Sequence, residues 1–593
     1  MRKLFIAALA LGAMVACNNG MDEVATTPAV GNQTAYLSVS LKAAGDITRA
    51  TASTYEDGSE AENKIDNATF YFFDANGEPY SVAEGTNAVI VTTTDLEPDT
   101  DAENEEDGIE AYSDVILVLK SHKNNPPAKM VALINAPDYK NQTLAYIQSQ
   151  SSALKSGDYF VMSNSVYKGT QGQGVVVATE ILPENIFVTA DETGTPGESY
   201  TAPTGAKINP VEIYVERVAA KVRVNVSASA TGVTVPTGTY PIIKEKKDGV
   251  TTYHDNTFVK VLGWDVTNAT TDSYLIKNWN QACEDYNNLA AFRSHWAVSK
   301  DTNPTHTFTF NYFVDGTQKN AVGSSEYYHE NTNDPINTTG QWFNGMSAGT
   351  KAAQLVVATQ FVDANGNPKQ FGSWYGQIYD NIDDYTVTVG GETVTKPGLK
   401  SNMINNAAKK IFVKTLVPAT NDEGEPKVDA DGNQMYDIVL NGITVGDVDF
   451  YQTHDVNNES YDPNNYDGNR RYMVRVKAKS LGEGKTYADA TGKVYTETEV
   501  NAILNTIEPA MIWTNGYAYY YTLINHLGGV QGIVRNHLYD VNIQSFTGFG
   551  TPVYDPTKNI IPEDPEGQDP YHLTAQINVL SWALVQQNVG LGK

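Results

Sequence analysis

Residues 211–226 read VEIYVERVAAKVRVNV. Valine recurs throughout and neither Gly nor Pro interrupts it, so the run is read as strand. Ahead of it, residues 193–210 read TGTPGESYTAPTGAKINP, a Gly-, Pro- and Thr-rich stretch of linker character. A domain boundary is therefore expected between residues 209 and 210, with an N-terminal domain over 50–209 and a C-terminal domain over 210–593. Before the boundary, short apolar runs at 67–74, 115–119, 130–134 and 186–188 have the length of buried strands. After it come further strand-like runs at 258–266, 307–313, 355–362, 472–478, 532–545 and 575–591. Helices are expected at 142–154, 401–411 and 496–507, the last opening on a capping box formed by Thr496 and Glu499. Asp74-Ala75-Asn76-Gly77 and Asp363-Ala364-Asn365-Gly366 are hairpin signals. This pattern predicts an all-β protein with a few short helices.

The chain has 593 residues, too many for one small core. Its 35 Tyr, 47 Gly and 25 Pro fit many strands joined by turns. The formal charge is −29. Residues 1–49 hold four Lys or Arg and three Asp or Glu, so the remainder carries −30. Such a surface repels nucleic acid and anionic lipid, and no nucleic-acid partner is expected. The two cysteines are Cys17 and Cys283. Cys283 is read as a buried thiol. With Cys17 lipidated, stability must come from buried area and not from disulfides.

The N-terminal end has the build of an export signal. Arg2 and Lys3 precede an apolar segment, 4–15, and Met14-Val15-Ala16-Cys17 closes it. The segment is shorter than the ~20 residues of a membrane span. Cys17 after small residues fits a bacterial lipobox, with Met14 standing where Leu is usual. Residues 1–17 are thus a lipoprotein signal peptide with its lipidated cysteine, and acyl chains on Cys17 would anchor the precursor to a membrane surface. Residues 34–42, TAYLSVSLK, alternate with period two, placing Leu37, Val39 and Leu41 on one face of a half-buried strand. Behind it, Arg49 is the sole arginine between Arg2 and Arg217. A protease specific for arginine would have one target there, the Arg49–Ala50 bond, and 18–49 would be a propeptide.

Catalytic patterns are few. Gly345-Met346-Ser347-Ala348-Gly349 matches G-x-S-x-G, but polar residues precede it and a strand-like run follows, so it is read as a loop. Gly484-Lys485-Thr486 has Lys479 where a P-loop needs glycine. Asp429-Ala430-Asp431-Gly432-Asn433 has a calcium-loop flavour with glycine misplaced, and is read as a hairpin turn. The acidic run at 95–110 is read as a solvated loop. The nine histidines form no H-E-x-x-H or H-x-H, and cysteine ligands are too few for structural zinc. No enzyme activity, metal or cofactor is expected.

Four stretches together resemble the major shaft subunit, or fimbrillin, of the type V pili of Bacteroidota, in its short or minor fimbria branch. They are the lipobox at Cys17, the strand-like prosegment ending at Arg49-Ala50, the VERVAAKV stretch beginning Val215-Glu216-Arg217, and the tail. The tail carries Val534-Arg535-Asn536-His537-Leu538-Tyr539-Asp540-Val541 and then Ile577-Asn578-Val579-Leu580-Ser581-Trp582. The resemblance implies a two-domain transthyretin-like β-sandwich and a lipoprotein precursor at the outer membrane. It further implies an arginine-specific protease cutting after Arg49, and a fimbrium on the cell surface serving adhesion and colonisation. Loss of the plug strand (Leu37, Val39, Leu41) would open a groove for a neighbour's donor strand, here Trp582, Leu584, Val585, Val589 and Leu591. Burial of five such side chains, at ~1.5–3 kcal/mol each, would hold a persistent junction. The implied partners are copies of the same chain joined head to tail, tip and anchor subunits, and host or bacterial surface ligands. Two other readings stay open: a surface lipoprotein that binds glycans, and a fimbrial tip or anchor subunit.

Overall fold

The computed structural model describes residues 33–44, 58–59, 61–92, 97–98, 109–122, 126–168, 175–182, 185–188, 211–278, 297–300, 308–315, 320–331, 353–453, 473–524, 526, 532–557, 560, 572–580 and 585–586. Cys17, Cys283, Ser347, Arg49 and Ala50 lie outside the described residues, as do Trp582, Leu584, Val589 and Leu591. The fold is an all-β sandwich architecture dominated by two ten-stranded sheets.

The first sheet runs Ala88–Thr92, Asn67–Phe73, Lys129–Ile134, Met162–Asn164, Val211–Arg217, Gln33–Ala44, Ile109–His122 and Glu97–Pro98, with two short strands attached. Its core gathers Phe70, Phe72, Met130, Ile134, Leu117, Leu119, Ile213 and Val215. Asn67–Phe73 and Lys129–Ile134 are buried on both faces, which explains their continuous apolar runs. The second sheet runs Ser325–Tyr328, Ala220–Val226, Leu538–Thr547, Tyr240–Lys247, Val250–Thr267, Gln354–Val362, Tyr517–Leu523 and Thr551–Pro552. Trp264, Val357, Trp513, Tyr520, Val541 and Phe546 belong to its core.

The stretch 211–226 divides between the two sheets. Val211–Arg217 pairs in the first and Ala220–Val226 in the second, so the chain changes sheet at Val218 and Ala219. The boundary expected at 209/210 therefore falls before a strand that hydrogen-bonds within the first sheet. Residues 307–313 were expected as strand. Instead Asn311–Val314 is a short helix, and Phe308, Phe310 and Phe313 cluster against Val356 and Tyr519. The expected helices at 142–154 and 401–411 shorten to Leu144–Ser149 and to Leu399–Asn405 followed by a turn of 3-10 helix, Ala407–Lys409. The helix Glu497–Leu504 carries the expected reciprocal box between Thr496 and Glu499.

Between Gln354–Val362 and Tyr517–Leu523, adjacent antiparallel strands, the chain inserts a unit with its own core around Leu399, Met403, Val474, Val500 and Leu504. Among the described residues, five sharp turns of one design recur, starting at Asp74, Asp363, Asn421, Asp429 and Asp489. In each, Oδ1 of that residue accepts the backbone N–H groups two and four residues on. The fourth residue is a glycine at positive φ: Gly77, Gly366, Gly424, Gly432 and Gly492. The backbone bonds hold the carboxyls of Asp74, Asp363 and Asp429 below their usual range, and the Thr491 hydroxyl leads the same effect at Asp489. Asp429 to Asn433 is thus a hairpin turn.

Candidate functional site

The N-terminal strand Gln33–Ala44 lies inside the first sheet, not at its rim. One edge pairs antiparallel with Ile109–His122, from Gln33 opposite His122 to Ala44 opposite Ile109. The other pairs antiparallel with Ile186–Val188 and then in parallel with Val211–Arg217. Leu37 is 0 % exposed and belongs to the core. The register sets Leu37 opposite Leu117 and Ile186, Val39 opposite Val115 and Val211, and Leu41 opposite Ser113 and Ile213. Leu117, Val211 and Ile213 are themselves buried in the core. Losing a strand from this position exposes an apolar floor and leaves backbone donors and acceptors unpaired on both walls.

At the other end of the chain, His572–Leu580 pairs antiparallel with Leu538–Thr547, with a register shift between Ile543 and Ser545. Among the described residues its outer edge is paired at Asn578 and Val579 alone, by the two-residue strand Val585–Gln586. Val585 stands opposite Val579. The structure therefore places Leu37, Val39 and Leu41 together on one strand, and Val585 on the second sheet of the same chain.

The VERVAAKV and RNHLYDV stretches meet where the two sheets join. The Asn536 N–H donates to Ala219 O at 2.7 Å, and Lys221 N–H to His537 O at 2.9 Å. Asn536 has φ 54°, a left-handed conformation that Asn tolerates, and its Oδ1 accepts from Arg217 N and Nη1. Arg217 also donates from Nε to Glu62 O and from Nη2 to Asn63 Oδ1. Two ion pairs are wholly buried nearby. Lys277 Nζ lies 2.8 Å from Glu216 Oε2, and Arg535 pairs with Glu330 while donating to the carbonyls of Tyr274 and Leu275. Burial pushes the Glu330 carboxyl up, against the pull of Arg535. Burial also raises Glu62, but the Tyr327 hydroxyl, the Ser59 N–H and Lys221 Nζ at 3.0 Å outweigh it and bring the carboxyl down to about 2. Glu62, Lys277, Glu330 and Tyr327 carried no sequence signal; they join the seam from three segments, Tyr327 and Glu330 from the same one, and charge is common in this chain.

Among the described residues, no group of three or more His, Cys, Asp or Glu is placed to hold a metal ion. No described helix is long and apolar enough to cross a membrane.

Residues 511–588 match the family described as major fimbrial subunit protein type IV, fimbrillin, C-terminal. That region contains Leu538–Thr547 and the paired tail, so the likeness to fimbrillins lies in this C-terminal part of the chain. No curated protein matches the chain. A candidate cell adhesion protein from Parabacteroides distasonis is 13% identical, covering 94% of this chain and 99% of that one, at a TM-score of 0.33. The tip fimbrial protein Mfa3 from Porphyromonas gingivalis, with C-terminal truncation, is 10% identical, covering 93% and 100%, at 0.29. A fimbrial assembly protein from Parabacteroides distasonis is 13% identical, covering 61% and 98%, at 0.24. At these scores the likeness carries no further argument.

Proposed function

We propose that this chain is the repeating subunit of an adhesive fimbrial polymer, assembled by exchange of one strand for another. The precursor is exported as a lipoprotein through Cys17 to the outer membrane. An arginine-specific protease cuts between Arg49 and Ala50 and frees the segment that contains Gln33–Ala44. The vacated position then takes the C-terminal strand of a neighbouring copy, including Trp582, Leu584, Val585, Val589 and Leu591. Repetition head to tail gives an open filament, because such a contact does not close on itself. Tip and anchor subunits terminate it, and host or bacterial surfaces are its targets. The domains would divide as 50–209 and 210–593.

The observation that carries this reading is the interior place of Gln33–Ala44, paired on both edges although it comes from the extreme N-terminal part of the chain. An internal strand supplied from outside the domain body is the arrangement that removal and replacement require. Truncation of residues 582–593 tests it: the expected product is a folded monomer that does not polymerise after protease treatment. Fibres formed by that truncation would eliminate the tail as donor. Arg49→Ala is expected to leave a lipid-anchored monomer, and normal fibres from it would eliminate cleavage at this bond as the trigger.

A further inference from the structure

The strands Phe371–Trp374 and Gln377–Tyr379 form a tight hairpin in the inserted unit, with Trp374 opposite Gln377. Tyr375 and Gly376 are therefore its two loop residues, at φ 48° and 73°. Positive φ at both positions is the pattern of a type I′ turn, where Asn, Asp or Gly is the favoured first residue. Six other described non-glycine residues have positive φ, and all are Asn or Asp: Asn135, Asn141, Asp248, Asn268, Asn515 and Asn536. Tyr375 alone breaks the pattern. A bulky side chain is strained in this conformation. Burial does not compensate for the strain, because Tyr375 is 70% exposed, the most exposed large hydrophobic side chain among the described residues. Strain kept at an exposed position without a packing return is the mark of a site whose use lies outside the fold.

Its neighbour is Trp374, with ring centroids 4.9 Å apart and planes at 61°. Trp374 is fixed, since it packs against the core of the inserted unit and its Nε1–H donates to Glu508 O at 2.8 Å. The polar surroundings are Gln377, whose Oε1 accepts from the Tyr379 hydroxyl, and Glu508, whose carbonyl takes the Trp374 N–H; Asp380 lies at the base of the hairpin, where it pairs with Lys369 at 3.3 Å.

We propose that Tyr375, braced by Trp374, is a stacking platform for the apolar C–H face of a neutral hexopyranose, with Gln377 beside it to bind a ring hydroxyl. The platform is open and about one sugar ring in size, far below the ~800 Å² that each partner of a stable protein interface buries. The chain's formal charge of −29 disfavours sialylated or other anionic sugars. The site does not depend on polymerisation.

The test is binding of the full chain to an array of multivalent neutral oligosaccharides, ending in galactose, glucose or N-acetylglucosamine, alongside sialylated ones. Wild type is expected to bind neutral glycans in preference. Tyr375→Gly accepts the turn geometry without strain, so it should keep or raise the melting temperature while lowering the array signal at least tenfold. Tyr375→Phe should retain most of the signal. The proposal is overturned if wild type binds no neutral glycan, if it binds only sialylated ones, or if Tyr375→Gly binds as wild type does.

Discussion

Gln33–Ala44 and His572–Leu580 come from opposite ends of the chain and join different sheets, and they are held in opposite ways. The first is paired on both edges and carries a fully buried Leu37 into the core. The second is paired along one edge, with two residues of return strand on the other. A ladder bond contributes about 1 kcal/mol net. The N-terminal strand therefore leaves a costly gap when lost, whereas the C-terminal strand leaves its own sheet at about half that cost per residue. The contrast would give the proposed strand exchange a direction: a segment held on one side gains by moving into a position held on both.

The largest expected effect comes from deleting residues 33–44. The protein should bind a hydrophobic dye strongly and lose cooperative unfolding of the first sheet, while deletion of 572–593 should only lower the melting temperature. A synthetic peptide of residues 572–593 should restore the first variant. Restoration by a 33–44 peptide alone would break the comparison. Next comes the seam, which lies between the two regions. Arg535→Met leaves Glu330 buried without its guanidinium partner and should reduce stability by about 3–5 kcal/mol in urea unfolding. A loss under about 1 kcal/mol would show that the seam does not couple the sheets. Leu37→Ala should lower precursor stability by about 2–5 kcal/mol. It should leave the stability of the matured subunit, which lacks this strand, unchanged; an equal loss in both would place Leu37 outside the exchange.

The smallest effect is a pH dependence. Glu62 titrates at about 2 in the folded chain against 4.5 ordinarily, so its contribution is present above about 4.5 and fades as pH falls toward 2. Melting temperatures between pH 5 and 2.5 should fall less steeply in Glu62→Gln than in wild type. Parallel curves would remove Glu62 from the acid response.

Much of the local structure was legible in the sequence. The run Asn67–Phe73 is strand because apolar residues fill both faces, and Thr496 with Glu499 marks a helix start through bonds made within one turn. Asp74 and Asp363 mark turns for the same reason: their carboxylates serve N–H groups two and four residues away. Residues 307–313 misled because alternating Phe308 and Phe310 look like one face of a strand. Their aromatic rings instead pack on Val356 and Tyr519, far along the chain. The alternation of Leu37, Val39 and Leu41 was likewise visible, but not that both edges of their strand are occupied.

The amino-acid sequence by itself determined which segments extend, which turn, and where an apolar run ends at Cys17 and one arginine stands between Arg2 and Arg217, because those properties rest on neighbours a few residues apart. Only the tertiary structure decided that Val211–Arg217 lies beside Gln33–Ala44, and that Lys277 neutralises Glu216 out of water. Strand pairing and charge burial depend on groups brought together across long stretches of chain, and no local pattern encodes which partner will arrive.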